Sequence, residues 1–126
     1  NIGHEIWKLE KKLGELESEI ESKRRATVKQ IQKITCEHFS ISIIDLKSHR
    51  RTYNIVRPRQ IAMYLCKKLT LRSLPYIGRS FGDKDHTTVL YAVRRIEGLR
   101  LAAPEIDNHV KELTAKIELE PQPNIG

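Results

Sequence analysis

Gly82-Asp83-Lys84-Asp85-His86-Thr87-Thr88-Val89 is a glycine-broken turn that runs into a helix whose first residues are polar. A helix-turn-helix lays the N-terminal end of its second helix in the major groove, so side chains just past such a turn are placed to meet base edges. The residues around the turn fit that geometry. Before it, Ser73-Leu74-Pro75 opens a short helix, with Ser73 as N-cap and Pro75 tolerated in the first turn. Leu74, Ile77, Gly78 and Phe81 follow at the spacing of a buried helical face. Gly82 can take the left-handed conformation that ends a helix, and Asp85 is a good N-cap for the next one, expected to run to about Arg100.

At about 100° per residue the second helix separates two faces. Val89, Ala92, Val93, Ile96 and Leu99 form an apolar side, whereas Thr87, Tyr91, Arg94, Arg95 and Gly98 fall opposite. Two cations, two hydroxyls and a glycine that admits a close backbone suit a surface that meets phosphates. Charge is concentrated here. Of a net +7, residues 47–100 carry thirteen Lys/Arg against three Asp/Glu, residues 1–26 and 27–46 are each neutral, and residues 101–126 are acidic. A localised surplus supplies phosphate neutralisation and steering, which a general solubility surplus would not.

The segment 47–60 reads as a basic loop entering another helix, with Pro58 in its first turn. Arg57, Arg59 and Gln60 are then expected at that helix N-terminus, where free N–H groups favour an anion. Arg50 and Arg51 lie on the flexible side, able to reach a minor groove, whose negative potential attracts arginine.

Residues 27–119 are expected to form one compact all-α domain. Helices are predicted near 27–39 and just after Ser42. Another follows Pro58 along Ile61, Leu65 and Leu69, and a last one runs from 104 to 119 through Ile106, Val110, Leu113 and Ile117. Residues 120–126, with Pro121 and Pro123, read as a tail. Residues 1–26 form an amphipathic extension. Ile2, Ile6, Leu9, Leu13, Leu16 and Ile20 recur at alternating spacings of four and three, the seam of a coiled coil. Such a seam either pairs two chains as a homodimer or lies on the rest of its own chain. Pairing is the preferred reading, and it would present two reading heads to neighbouring sites.

Cys36 and Cys66 fall within helical patterns and read as reduced packing residues. The histidines are scattered along the chain, so no metal and no cofactor is expected. With no long apolar run and no signal pattern, a cytoplasmic, nucleoid-associated location is the expectation. Nor does any nucleophile-and-base arrangement point to an enzyme.

Three motifs, taken together, resemble the C-terminal DNA-binding domain of the bacterial chromosomal replication initiator DnaA family: Arg57-Pro58-Arg59-Gln60-Ile61-Ala62-Met63-Tyr64-Leu65, then Ser73-Leu74-Pro75-Tyr76-Ile77-Gly78, then Phe81-Gly82 followed by Asp85-His86-Thr87-Thr88-Val89-Leu90. The resemblance covers about residues 27–118. It implies recognition of short, asymmetric, A·T-rich boxes in double-stranded DNA, as at replication origins. By the same resemblance Asp85, His86 and Thr87 are expected to contact bases in the major groove and Arg51 the adjacent minor groove. Arg59, Gln60, Lys67, Thr88 and Arg95 are expected to hold phosphates, with Leu74 and Pro75 packed on the DNA backbone. Lys84, Arg94, Arg50 and Arg57 complete the expected backbone contacts.

The chain departs from the family pattern at Asp83 and Lys84, where a second glycine and an arginine are usual, and at His49 and Tyr53, where cations are common. These changes predict weaker or shifted box binding. A full initiator also carries an ATPase with a Gly-x-x-x-x-Gly-Lys-Ser/Thr phosphate loop, and no Gly-Lys pair occurs here. The chain is therefore expected to be either a stand-alone relative or a fragment, without an ATPase module of its own. The competing class is an interaction or transcription-regulatory protein built on the coiled coil, using the same helix-turn-helix.

Overall fold

Short polar residues start most of the helices by capping their free N–H groups. Thr27 Oγ1 accepts from the Gln30 N–H at 3.1 Å and opens α1 (Val28–Phe39), which Ser40 ends in the left-handed region at φ 56°. Ser42 Oγ accepts from Asp45 N–H and opens the one-turn α2 (Ile43–Leu46). Then come α3 (Tyr53–Leu69), α4 (Leu74–Ser80) capped by Ser73, α5 (His86–Ala102) capped by Asp85, and α6 (Pro104–Leu119). These six helices are the regular elements among residues 26–119, the part of the chain that the computed structural model describes. The proposed seam of Ile6, Leu9, Leu13, Leu16 and Ile20, and the tail 120–126, lie outside the described residues.

One helix start differs from the sequence-based expectation. α3 begins at Tyr53, a full turn and more before Pro58, so Pro58 lies inside the helix. Proline at that position lacks the N–H that would reach the Asn54 carbonyl, but its fixed φ is helical and the loss is local. The first turn is closed instead by the Thr52 carbonyl, which accepts from Ile55 and Val56 N–H at 3.0 and 2.8 Å, and Ile55 is anchored at 3% exposure. Consequently Arg57, Arg59 and Gln60 sit in the second turn, beyond the free N–H groups of the helix terminus where they were expected.

α3 is the central element. Ile61, Ala62, Met63, Tyr64, Leu65 and Cys66 are all buried, so the helix is covered on more than one side, by α1 and by α5. α5 packs on α3 and α4 through Val89, Ala92, Val93 and Ile96, while Thr87, Tyr91, Arg94, Arg95 and Gly98 face outward as expected. Ile77 and Phe81 are fully buried and fasten α4 beneath the turn, each burial contributing about 1.5–3 kcal/mol. Gln32, 2% exposed, adds a directional tie by donating to the Ser80 carbonyl at 2.9 Å. α6 buries Ile106, Val110, Leu113 and Ile117 against α1 and α5.

Both cysteines are free and buried, and burial pushes the Cys66 thiol far above its ordinary range, as suits a packing residue. The histidines are less scattered than their sequence positions suggest. Folding sets the His38 Nε2 2.9 Å from His109 Nδ1, with Lys116 Nζ 2.8 Å from His38 Nδ1. Among the described residues no cluster suited to a metal ion forms, and no helix is long and apolar enough to cross a membrane.

Candidate nucleic-acid interface

The turn between α4 and α5 is built by backbone conformations that few residues tolerate. Gly82 has φ 84°, and a Cβ there would collide with the Lys47 carbonyl. Asp83 follows at φ 55°. Aspartate is among the few residues that visit this region readily, so replacing the family's usual second glycine leaves the bend possible. Lys84 N–H then donates to the Gly78 carbonyl at 2.8 Å, and Gly78 has no room for a Cβ beside the Lys84 carbonyl. Two close backbone approaches therefore fix the angle at which α5 leaves the turn.

At the tip of α5, Asp85 Oδ1 accepts from the Thr87 N–H at 3.0 Å and lies 2.9 Å from His86 Nδ1. The Thr87 N–H, foremost, and the neighbouring His86 hold the Asp85 carboxyl below the usual carboxylate range. Asp85 thus caps the helix as anticipated. Oδ2 makes no hydrogen bond among the described residues, and the carboxyl keeps acceptor capacity on an exposed side chain. The Asp85 and His86 side chains are 64% and 57% exposed, and Thr87 and Thr88 are exposed beside them. The tip is an ordered row of polar groups in contact with solvent.

Beside it lies the basic loop, shortened by the early start of α3 to residues 47–52. Arg50 and Arg51 are exposed there, with Arg50 3.8 Å from the Asp45 carboxylate. The structure departs from expectation at two cations that were assigned to the DNA backbone. Arg59 is only 7% exposed. Its Nε donates to the Leu46 carbonyl at 2.9 Å, Nη1 to the Arg50 carbonyl at 2.9 Å, and Nη2 to the Asp45 carbonyl at 3.3 Å. The Lys84 ammonium donates to the carbonyls of Ser48 at 2.7 Å, Phe81 at 2.8 Å and Lys47 at 3.3 Å. Both side chains thus end on backbone carbonyls, three of them (Lys47, Ser48 and Arg50) in the loop, where no helix or strand supplies a partner.

The other predicted residues divide by exposure. Lys67, Pro75, Arg94 and Arg95 are exposed, and Lys67, Arg94, Arg95 and Arg51 form no ion pair among the described residues. Gln60, Arg57 and Leu74 are half-buried. Arg57 donates to Gln60 Oε1 at 2.8 Å and lies over the Tyr53 ring at 5.2 Å. Tyr53, which falls within the expected basic loop, is 69% exposed on the first turn of α3. Lys68 and Arg100 are neutralised internally, by Glu97 at 3.0 Å and by Asp107 at 2.7 Å. Among the described residues the basic segment thus keeps exposed cations without carboxylate partners on the loop, at Lys67 on α3, at Arg79 on α4 and on the outward face of α5.

A capped, solvent-facing polar tip, a bend set by left-handed backbone and an adjoining arginine loop together define a DNA-binding helix-turn-helix domain. Residues 28–96 match the family model described as the bacterial dnaA protein helix-turn-helix, and the chain belongs to that family. It is 48% identical over 97 residues to the chromosomal replication initiator protein DnaA of Zymomonas mobilis, a match covering 77% of this chain and 20% of that protein. Identity is 53% over 94 residues to the same-named protein of Caulobacter strain K31, covering 75% and 19%. With that of Rhodopseudomonas palustris strain TIE-1 it is 52% over 95 residues, covering 75% and 20%. The chain spans about a fifth of the length of the curated relatives it matches.

Proposed function

We propose that the chain recognises DnaA-box-like sites in double-stranded DNA and acts in replication initiation or its regulation through that binding. The observation that carries this reading is the exposed Asp85-His86-Thr87 tip beside the Arg50-Arg51 loop. In the major groove the free Asp85 oxygen accepts from a cytosine amino group, and the Thr87 methyl and His86 ring edge pack on thymine methyls. Arg51 enters the adjacent minor groove. Thr88, Gln60, Arg57, Lys67, Arg50, Arg94 and Arg95 meet phosphates, with Leu74 and Pro75 against the sugar-phosphate chain. Exposure of Lys67, Arg94 and Arg95 without carboxylate partners supports these roles, since neutralising phosphates requires cations not already paired. The amphipathic pattern of residues 1–26 further supports pairing of two chains on neighbouring boxes, to be tested by light scattering at micromolar protein.

Fluorescence anisotropy on a box-bearing and a scrambled duplex, across a salt series, tests the assignment. The box duplex is expected to bind more tightly at every salt concentration. A logarithmic salt slope of about −4 to −5 is expected for roughly five phosphate contacts. Arg95→Ala should weaken both duplexes alike and reduce that slope by about one. Equal affinity for the two duplexes would overturn box recognition.

A further inference from the structure

We propose that Lys84 is a positioning residue for DNA recognition: it fastens the loop bearing Arg50 and Arg51 to the turn bearing Asp85, His86 and Thr87, and holds no phosphate itself. The inference rests on the DNA-reading assignment above and specifies how its two contact regions keep a common frame.

A lysine ammonium has three N–H donors and no more. Here three carbonyl oxygens take them, Phe81 on the turn and Lys47 and Ser48 on the loop. The same loop is gripped from α3, where the buried Arg59 donates to its Arg50 carbonyl and to the Asp45 and Leu46 carbonyls at the end of α2. Two cations from different elements thus bind the loop backbone on either side of His49. The loop's own hydrogen bonds are short-range, from Lys47 N–H to the Ile43 carbonyl, Ser48 N–H to the Asp45 carbonyl and Arg50 N–H to Ser48 Oγ, so these two side chains add the long-range ties that local bonds do not supply. Gly82 lets the Lys47 carbonyl lie directly on the turn, which brings the loop within reach of Lys84.

A phosphate could reach the Lys84 ammonium only by displacing one of these carbonyls. Desolvation and the nearby Arg59 charge both disfavour its protonated form, the reverse of the environment an open phosphate contact provides. Holding Arg51 ready before DNA arrives lowers the ordering cost that a free loop would incur on binding. Lys84 therefore acts through Arg51, and its effect should vanish when Arg51 is removed.

The experiment is a double-mutant cycle on the full chain, with wild type, Lys84→Met, Arg51→Ala and the double variant titrated by anisotropy against the box duplex. A second box duplex carries 2,6-diaminopurine for adenine in the A·T-rich flank, which adds an amino group in the minor groove and leaves the major-groove pattern intact. Lys84→Met is expected to weaken box binding by about tenfold in the wild-type background and by less than about twofold in the Arg51→Ala background. It should also abolish most of the diaminopurine penalty. In free Lys84→Met, the amides of Ser48 and Arg50 should exchange faster while those of Val93 and Ile96 stay protected, which separates loop release from unfolding. An equal loss from Lys84→Met in both backgrounds would mean direct phosphate contact and would overturn the positioning role. If wild type did not prefer the box at all, the DNA-reading assignment would fall instead.

Discussion

The tip of α5 and the loop before α3 both present polar side chains to solvent, yet they are ordered by opposite means. The tip is self-sufficient: Asp85 caps a helix whose next residues it orders, through a bond to a residue two positions away. The loop has some local bonds, centred on Ser48, but is tied to the rest of the protein by distant side chains. Its Arg50 carbonyl accepts from Arg59, nine positions on, and its Lys47 and Ser48 carbonyls from Lys84, at a separation of thirty-six and more. If the two halves form one reading surface, as proposed, mutation acts on it in two ways, with damage at His86 and Thr87 confined to recognition and damage to the Asp85 cap or beneath the loop reaching stability as well.

Substitutions can break that contrast, and the largest effect is expected at Arg59. Arg59→Ala leaves buried carbonyls without their charged donor, and urea denaturation should show a loss of about 3 kcal/mol. Arg59→Lys should recover little, because a point donor cannot serve the acceptors that the guanidinium spans. Gly82→Ala comes next. The strained φ and the collision with the Lys47 carbonyl are expected to cost about 2 kcal/mol and to loosen the loop and turn together, seen as reduced thermal stability and weaker binding to any duplex.

At the tip, His86→Ala or Thr87→Ala should leave the melting temperature unchanged. Box affinity should fall by about tenfold or more with little change on scrambled DNA, and an equal fall on both duplexes would contradict base readout. The smallest effect should come from a region remote from both halves in its bonding, the His38 contact between α1 and α6. Burial first, then Lys116 and His109, push the His38 pKa below its ordinary 6.5, with Glu112 opposing. The fold thus favours the neutral ring. Its contribution is fully present above pH 6.5 and is lost as pH falls through the lower folded-state value. Thermal melts should show stability declining below pH 6.5, with a shallower decline in His38→Gln and no change in the box preference at the tip.

Much of the domain was legible in the chain because its signals are local. Ser73 and Asp85 cap where expected, a short helix follows Ser42, α6 runs from 104 to 119 on its four predicted core positions, and the outward face of α5 carries the residues assigned to it. The start of α3 was misplaced because Pro58 is a strong local signal, whereas the burial of Ile55 that extends the helix upstream depends on what it packs against. The His38–His109 contact joins positions seventy-one apart, a separation at which no periodicity operates.

From its residues alone this protein declares a glycine bend, a capped polar helix tip and a concentration of cations around them, because turn conformation, capping and charge are properties of short stretches. Only the folded chain decides which of those cations face outward. Arg59 and Lys84 are chemically equal to their neighbours, but their partners are backbone carbonyls, which every residue carries and no side-chain pattern marks. Which carbonyls these two cations reach is settled by tertiary packing, and that choice engages Arg59 and Lys84 within the protein instead of leaving them open on its surface.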